Sequence, residues 1–301
     1  DGRWDVDLLK VDYNNAPVCS ALPEYFSEQL NLTISDLDSV SRDVVEVMAV
    51  WGREINDDQL QKLTGLASQT LLAATKILQV KMIIQETNTG YREFIHVYVM
   101  QGIYDEITFD NRIQIHTRIA QLLADSPQPS ELEWQTNLAR HREASNDTDN
   151  AAVHYLTAAR MLFSRFSHSL GEYYFCKYLQ LAESGTNDYL SVRIERLREC
   201  LLYSGHLSEA RTELESILAE INVLETTSDL LLADANRVHS HIHWQSGSFH
   251  DGLATAETAI KEYYHANKLK AAGTMLQEIA NAAFDAGYYL TAKEYFNRCR
   301  D

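Results

Sequence analysis

Proline is scarce in this sequence of 301 residues, and its four copies all precede residue 130: Pro17, Pro23, Pro127 and Pro129. Because proline breaks helix interiors, the proline-free remainder favours uninterrupted helices joined by short turns. Long apolar runs are also missing, since nowhere do about 18 apolar residues follow one another. The sequence therefore excludes a membrane-spanning helix of ordinary length.

Cysteine is rare as well, and no two cysteines form a C-x-x-C pair. Such wide spacing argues against a zinc site or a disulfide framework and is typical of reduced thiols in a cytoplasmic protein. The first ten residues carry neither a basic nor an apolar signal segment, and the first is not Met. We therefore expect a cytoplasmic protein and a piece of a longer chain. The cysteines are Cys19, Cys176, Cys200 and Cys299.

Basic residues are outnumbered: 26 Lys and Arg face 43 Asp and Glu, which gives a formal net charge of -17. Such a field repels phosphate backbones and anionic lipid headgroups, so we expect this segment to bind neither nucleic acid nor membrane. The phosphate-binding pattern G-x-x-x-x-G-K-[ST] is absent. We therefore predict that the chain alone hydrolyses no ATP, is not an enzyme, and holds no cofactor or metal.

A repeated pattern runs through the second half. The segments "SGHLSEA", "SGSFHDG" and "AGYYLTA" follow one another in steps of 42 and 40 residues, which suits one pair of helices per step. In each, glycine permits a left-handed turn, a bulky residue two positions later anchors it, and a small residue five positions later lets the second helix approach the first. The residues are Gly205, Leu207 and Ala210, then Gly247, Phe249 and Gly252, then Gly287, Tyr289 and Ala292.

This offset resembles that of the tetratricopeptide repeat, with each step about 7 residues longer than usual. An earlier copy, "NDTDNAAVHYLTAA", places Ala151, Tyr155 and Ala158 at the helix positions and Asn146 at the turn. Asparagine tolerates the left-handed conformation, so it stands in for glycine. We expect a solenoid of tetratricopeptide-like helical repeats over residues 130–301.

The first half has a different pattern. "SRDVVEVMAVWG" predicts a buried helix, "DDQLQKLTG" a short helix capped by Asp57, and "ASQTLLAATKILQVK" a third helix. "MIIQETNTGYREFIH" then alternates about a "TNTG" turn, which predicts a two-stranded hairpin. This is the order of a winged-helix domain, expected over residues 36–96. The predicted fold is therefore mainly α, a winged helix followed by a tetratricopeptide-like α-solenoid.

Winged helices often read DNA through the third helix, but cations are few here. Between Ala67 and Val80 the third helix carries one, Lys76, and the wing offers only Arg92. We therefore do not expect this winged helix to bind DNA.

Five segments occur in an order that resembles a class of bacterial regulators. They are "AVWGREINDDQLQKLTGL", "YREFIHVYVMQGIYDEIT", "RIQIHTRIAQLL", "LARH" and "AAVHYLTAARML". The class is that of signal transduction ATPases with numerous domains (STAND), which includes the maltose-regulon activator and LuxR-type ATP-binding regulators. The resemblance implies a nucleotide-binding domain before the winged helix, with ATP or ADP in the full-length protein. It also implies that residues 1–35 are a linker or the end of the preceding ATPase region and that residues 97–129 are connecting helices.

His96 lies at the end of the winged helix, in "FIHVYVMQGIYDEI". The resemblance implies that a histidine at this place contacts the β-phosphate of bound ADP and holds the resting state. Ile95 and Val97 stand where the family has Met and Asp. An imidazole can donate to a phosphate, and its charge varies near neutral pH. The alternative is a packed residue whose ring nitrogen caps a backbone group at the joint of strand and helix.

The histidines of "VHSHIHW" form a weaker candidate site. On a helix His239 and His243 share one face and His241 turns away, so a zinc site would need further ligands. His250 in the next turn is one candidate ligand.

His116 and Arg118 flank the apolar face of the helix predicted from "RIQIHTRIAQLL". We expect them to make a domain contact there rather than to do chemistry.

Aromatic residues collect along the predicted solenoid. Most are expected in the core between stacked helices, and any that escapes it would be placed to hold a peptide or small ligand on the concave face. They are Tyr173, Tyr174, Phe175, Tyr178, Tyr203, Trp244, Tyr263, Tyr264, Phe284, Tyr288 and Tyr289.

These observations and the resemblance predict a regulatory fragment of a signal-transduction ATPase, in first place a transcriptional regulator. An inducer or protein partner on the repeats would shift the winged-helix arm and loosen its hold on the nucleotide-binding domain, with ligand-driven homo-oligomers as a further expectation. Three alternatives stay open. They are a stand-alone tetratricopeptide scaffold, the regulatory part of a cyclase or kinase, and direct DNA binding by the winged helix.

Overall fold

The computed structural model describes residues 32–125, 128, 131–201, 205–224 and 228–300, and most of these residues are helical. They form two compact units, a first that ends at residue 127 and a second that begins at 128, with residues 144–146 grouped with the first. The predicted mainly α fold is confirmed. The linker predicted at 1–35 lies almost wholly outside the described residues.

The first unit contains three helices followed by a two-stranded antiparallel hairpin, the element order that the sequence predicts. Its elements are α1 (Ser39–Trp51), α2 (Asp57–Thr64), α3 (Ser68–Val80), β1 (Ile84–Glu86), β2 (Arg92–Phe94), α4 (Val97–Glu106) and α5 (Phe109–Ala124). The two strands pair Ile84 with Phe94, and Gly90 in the turn has a φ of 81°. The predicted hairpin is therefore confirmed.

Side-chain caps fix where α1 and α2 begin. Asp38 accepts the backbone N–H of Ser41 at 2.8 Å ahead of α1. Ahead of α2 the cap is Asn56, whose side chain accepts the N–H of Gln59 at 2.8 Å while the Gln59 side chain accepts the N–H of Asn56. The prediction that Asp57 caps this helix is wrong, because the amide one position earlier already satisfies the free N–H.

Asp57 instead pairs with Arg92 of β2. The Arg92 Nε lies 3.1 Å from a carboxylate oxygen of Asp57, and its Nη1 lies 2.5 Å from Glu86. The hydrogen bond to Asp57 raises the pKa of Arg92, whose surface is only 6% exposed. The cation that the sequence assigned to the wing is therefore neutralised inside the first unit and is not presented to solvent.

One continuous core holds the first unit together. Val47, Met48 and Trp51 of α1 and Ile115 and Ile119 of α5 all lie buried in it. The side chains of this core are mostly branched or large, as expected where helices enclose a wide interior.

The second unit is a run of helices joined by short turns. They are α6 (Leu132–Ala144), α7 (Thr148–Phe163), α8 (His168–Leu181), α9 (Asn187–Arg196) with a π-helical continuation (Leu197–Leu201), α10 (Leu207–Val223), α11 (Asp229–Gln245), α12 (Phe249–His265), α13 (Leu269–Asp285) and α14 (Tyr289–Arg300). From α7 onward each helix packs against the next. The predicted tetratricopeptide-like solenoid is confirmed.

The turns that close each helix pair have the predicted conformation. Gly205, Gly247 and Gly287 have φ values of 77°, 80° and 83°. A Cβ on Gly252 would lie 2.3 Å from Nε1 of Trp244, so only glycine lets α12 approach α11 this closely. Ala292 is buried at the equivalent place, which confirms the role of the small residue.

The bulky residue of each pattern anchors its turn less uniformly. Phe249 is buried and Leu207 is half-buried, but Tyr289 exposes 65% of its surface. The ring of Tyr289 lies edge-on to Phe284 at 5.5 Å instead of entering the core. The prediction of an anchoring residue is therefore wrong at Tyr289.

The upstream copy is present, but its turn is not spaced from the later turns by whole helix pairs. Asn146 is left-handed, with a φ of 63°, and Ala151, Tyr155 and Ala158 are buried, all as predicted. Asn146, however, precedes Gly205 by three helices, whereas the glycines are two helices apart. The left-handed residue that lies one helix pair ahead of Gly205 is Phe166, in the turn between α7 and α8, with a φ of 60°.

Fewer aromatic residues are in the core of the second unit than the sequence predicts. Tyr174, Phe175 and Tyr263 are buried, whereas Phe284, Tyr288 and Tyr289, together with Tyr264, are exposed. Tyr203 lies outside the described residues. Closely approaching helices leave room mainly for small side chains, and alanines such as those of α12 and α13 fill the space between them.

Candidate ligand-binding site

His96 lies at the joint between β2 and α4, where it is exposed and caps the helix. Its Nδ1 accepts the backbone N–H of Tyr98 at 3.2 Å, and the two rings stack with centroids 4.9 Å apart. Because Nδ1 is the acceptor, the neutral ring carries its proton on Nε2. A capping nitrogen, one part of the alternative offered by the sequence, is therefore present, but the residue is exposed rather than packed.

The exposed face of α3 mixes apolar and polar residues. Leu72, Ile77 and Val80 are exposed there, and Lys76 is the one cation of this helix. Nucleic-acid binding draws most of its affinity from several Lys or Arg contacts with phosphate. With one cation, the described residues of this helix offer few such contacts.

His116 and Arg118 of α5 serve packing within the first unit. His116 is buried, with its Nε2 3.4 Å from the hydroxyl of Tyr104. Arg118 donates to the carbonyl of Leu63 at 2.8 Å and lies 3.8 Å from a carboxylate oxygen of Asp43. These contacts tie α5 to α1, α2 and α4.

The histidines of α11 divide between two faces, as predicted. The rings of His239 and His243 stack with centroids 4.5 Å apart, and burial lowers the pKa of His239. His241 turns away and contacts α13. Among the residues that the structure describes, no three or more His, Cys, Asp or Glu side chains are grouped so as to hold a metal ion.

A cleft of about 540 Å³ opens between the last turns of α11 and α13. The half-buried Trp244 supplies its main aromatic surface, since Phe249 is buried and stacks on Tyr288, and the remaining walls are polar or small. The Nε1 edge of Trp244 faces Gly252, so the lack of a side chain at Gly252 sets where this ring lies. The lining residues are His241, Trp244, Gln245, Gly247, Phe249, Glu278, Asn281, Ala282, Asp285 and Ala286.

One wall of the cleft is fixed by Glu278, which bridges α13 to α11. Arg237 donates to both of its oxygens, with Nε at 2.9 Å from one of them, and Nε2 of His241 lies 3.1 Å from the same oxygen. Burial would raise the pKa of the Glu278 carboxyl, but hydrogen bonds with His241 and Arg237 outweigh it and hold the pKa below its ordinary value. Glu278 is therefore ionised and held in one orientation at neutral pH.

Three other polar side chains of the cleft, those of Gln245, Asn281 and Asp285, are exposed to solvent. They form no side-chain hydrogen bond or ion pair with any other residue that the structure describes. Asn281 and Asp285 follow Glu278 at helical spacing, so all three line one face of α13. The cleft is open to solvent and combines an aromatic wall and a fixed carboxylate with exposed amide and carboxylate groups that a polar ligand can contact.

The sequence did not reveal these residues. Trp244 was among the predicted aromatics, but Glu278, Asn281 and Asp285 are common residue types in an acidic chain. Their spacing on α13 becomes a signal only once the helix bounds and its neighbour are known. None of the helices described here is both long and apolar enough to cross a membrane.

Comparison with known proteins gives limited similarity. No protein-family model matches the chain, and no curated protein matches it. Among similar solved structures is a Signal Transduction ATPase with Numerous Domains protein with a tetratricopeptide repeat sensor from Pyrococcus horikoshii, at 11% identity and a TM-score of 0.44. That match covers 93% of this chain and 46% of the archaeal chain, so this chain spans less than half of it.

Another similar structure is a Rap protein complexed with Competence and Sporulation Factor. It is 13% identical, with a TM-score of 0.45, and the match covers 90% of this chain and 76% of that chain. The fold described above rests on the helices and turns of this chain itself.

Proposed function

We propose that the chain is the regulatory and sensor segment of a signal transduction ATPase with numerous domains that acts as a transcriptional regulator. Its repeats bind an inducer or protein partner and relay the binding to a nucleotide-binding domain outside the chain. The observation that carries the binding role is the cleft between α11 and α13, where Gln245, Asn281 and Asp285 have no partner among the described residues. The unit of three helices and a hairpin ahead of the repeats supports the regulatory role.

In this proposal the chain hydrolyses no ATP by itself, because it lacks G-x-x-x-x-G-K-[ST]. His96 fits one contact to the β-phosphate of ADP, since it is exposed and its Nε2 carries the proton of the neutral ring. ADP held in this way would favour the resting arrangement. Ligand on the repeats would favour the active arrangement only by its difference in affinity for the two.

The coding region on both sides of this segment tests the proposal directly. We expect a G-x-x-x-x-G-K-[ST] loop upstream and a DNA-binding domain downstream. A cyclase or kinase domain downstream would contradict the transcriptional role and keep the ATPase. A gene without a phosphate-binding loop would reject the ATPase role and leave a stand-alone scaffold.

His96→Ala in the complete protein tests the nucleotide contact. Losing a hydrogen bond to a charged group should speed ADP release by about tenfold or more. Release of a fluorescent ADP analogue measures this rate. Lys76→Ala, an exposed change elsewhere in the first unit, is the control and should leave the rate unchanged. An unchanged rate in His96→Ala would leave His96 as a helix cap only.

A further inference from the structure

The charges around the cleft of α11 and α13 favour a cation. Glu278 and Asp285 line it, and the only side chain of its lining able to carry a positive charge is His241. Arg237 compensates Glu278 from one side but does not line the cleft. Asp285 has no ion-pair partner among the described residues, so its charge is uncompensated.

The helix ends add to this negative potential. α11 ends at Gln245 and α13 at Asp285, and residues at both ends line the same cleft. The C-terminus of a helix carries a partial negative charge, roughly half an elementary charge, which stabilises cations near the last turn. Two such ends therefore act together with the carboxylate of Asp285, because Arg237 already neutralises Glu278.

The aromatic wall of the cleft also suits a cation. Trp244 and Phe249 both line the cleft. The face of an aromatic ring, and of Trp above all, attracts a guanidinium or ammonium group through its quadrupole. An arginine or lysine side chain would place its aliphatic stem against the half-buried ring of Trp244 and its charge toward Asp285.

The free amides indicate that the cation is carried by a polypeptide. Gln245 and Asn281 lie on opposite walls of the cleft, and each offers a donor and an acceptor. A peptide group offers the complementary acceptor and donor, whereas a free amine has no such backbone. Both amides are exposed and lack a protein partner among the described residues, so a ligand has only water to displace from them.

We infer that this cleft binds an arginine or lysine side chain of a partner polypeptide, with Asp285 as its counter-ion and Gln245 and Asn281 on its backbone. This inference rests on the proposed ligand-binding role of the repeats and names the chemistry of the partner. It does not depend on His96, on ADP or on a nucleotide-binding domain.

The probe is a set of capped pentapeptides, Ac-Ala-Ala-X-Ala-Ala-NH2, in which X is Arg, citrulline or Glu. The chain is labelled with 5-fluorotryptophan, and Trp244→Phe identifies the fluorine resonance of Trp244. At low salt, where charges are least screened, the Arg peptide should shift that resonance in a saturable way. Citrulline has nearly the same shape without the charge, and its peptide should bind at least about tenfold more weakly.

Asp285→Asn should weaken the Arg peptide to a similar extent. Glu294→Gln is the matched control, because it removes one exposed carboxylate from the neighbouring helix α14 and should leave binding unchanged. Equal binding of the citrulline peptide, an equal loss in both variants, or no shift of the Trp244 resonance would overturn the inference. Agmatine binding as tightly as the Arg peptide would overturn the assignment to a polypeptide.

A failed peptide titration leaves the proposed ATPase role untouched, since that role is decided by the flanking coding region and by ADP release. Conversely, a gene without a phosphate-binding loop would not alter the result of the titration. The two proposals therefore fail separately.

Discussion

The two units bury apolar surface in different ways. The described part of the first unit has one continuous core, built largely of Val, Ile, Leu and Trp51. The described part of the second is divided into four smaller clusters, one of which is rich in alanine, with Ala233, Ala256, Ala259, Ala272 and Ala280 all buried. Each of these clusters is confined to three or four consecutive helices.

This difference bears on where a ligand can act. A single core couples all its helices, so a local change there is felt throughout the unit. A string of clusters responds locally, because each repeat depends on its own packing and that of its neighbours. A cleft such as that of α11 and α13 can therefore change shape without unfolding the distant repeats.

Trp51→Ala should have the largest effect. The side chain is 2% exposed, and its indole N–H donates to the carbonyl of Glu54 at 3.1 Å. Removing it from a closed core costs about 3–5 kcal/mol of unfolding free energy. Hydrogen exchange should show amide protection lost over the whole first unit and kept in the second.

Trp134→Ala provides the control for this change. Trp134 is half-buried in α6 and lies edge-on to His154 at 5.5 Å. Its loss should cost less and should lower protection only near α6 and α7. Uniform loss of protection across both units in either variant would contradict the division into a coupled and a locally packed unit.

Gly252→Ala should have a smaller and local effect. The new Cβ would lie 2.3 Å from Nε1 of Trp244 and 3.0 Å from the carbonyl of Ser240. The Trp244 ring must shift, and overpacking of this kind costs about 1–3 kcal/mol, partly offset by about 1 kcal/mol of helix propensity. Thermal unfolding measures the net loss, and the Trp244 fluorine resonance reports the ring.

Gly273→Ala is the matched control in the next helix. A Cβ there would meet nothing within 4 Å, so only the helix propensity changes. Stability should rise by up to about 1 kcal/mol. If both glycine variants were equally stabilising, the close approach of α11 and α12 would not restrict position 252 to glycine.

The parts of the fold set by nearby residues could be predicted from the sequence. The three glycine turns and the wing each follow from a few adjacent positions, because backbone conformation there depends on local residue type. The cap of α2 was misplaced by one residue, since Asn56 and Asp57 both suit the position and only the geometry decides.

The cleft could not be predicted, because its geometry joins distant residues. Arg237 and Glu278 are 41 positions apart, and their contact depends on how α11 and α13 pack. The phase of the upstream repeats was also missed, because an aromatic residue gives no signal for a left-handed turn. The residue concerned is Phe166.

Phe166→Gly should have the smallest effect and the opposite sign. Phe166 has a φ of 60° and is 85% exposed, so it bears the strain of the left-handed conformation while burying little surface. Relief of that strain raises the free energy of unfolding by about 1–2 kcal/mol. The added conformational freedom of glycine in the unfolded chain lowers it by about 0.4–1 kcal/mol. Stability should therefore rise by about 0.5–1 kcal/mol. Gly247→Ala is the reverse change at the corresponding turn, between α11 and α12, and it should lower stability in the same thermal unfolding measurement. If both variants lost stability, the packing of Phe166 would outweigh its backbone strain.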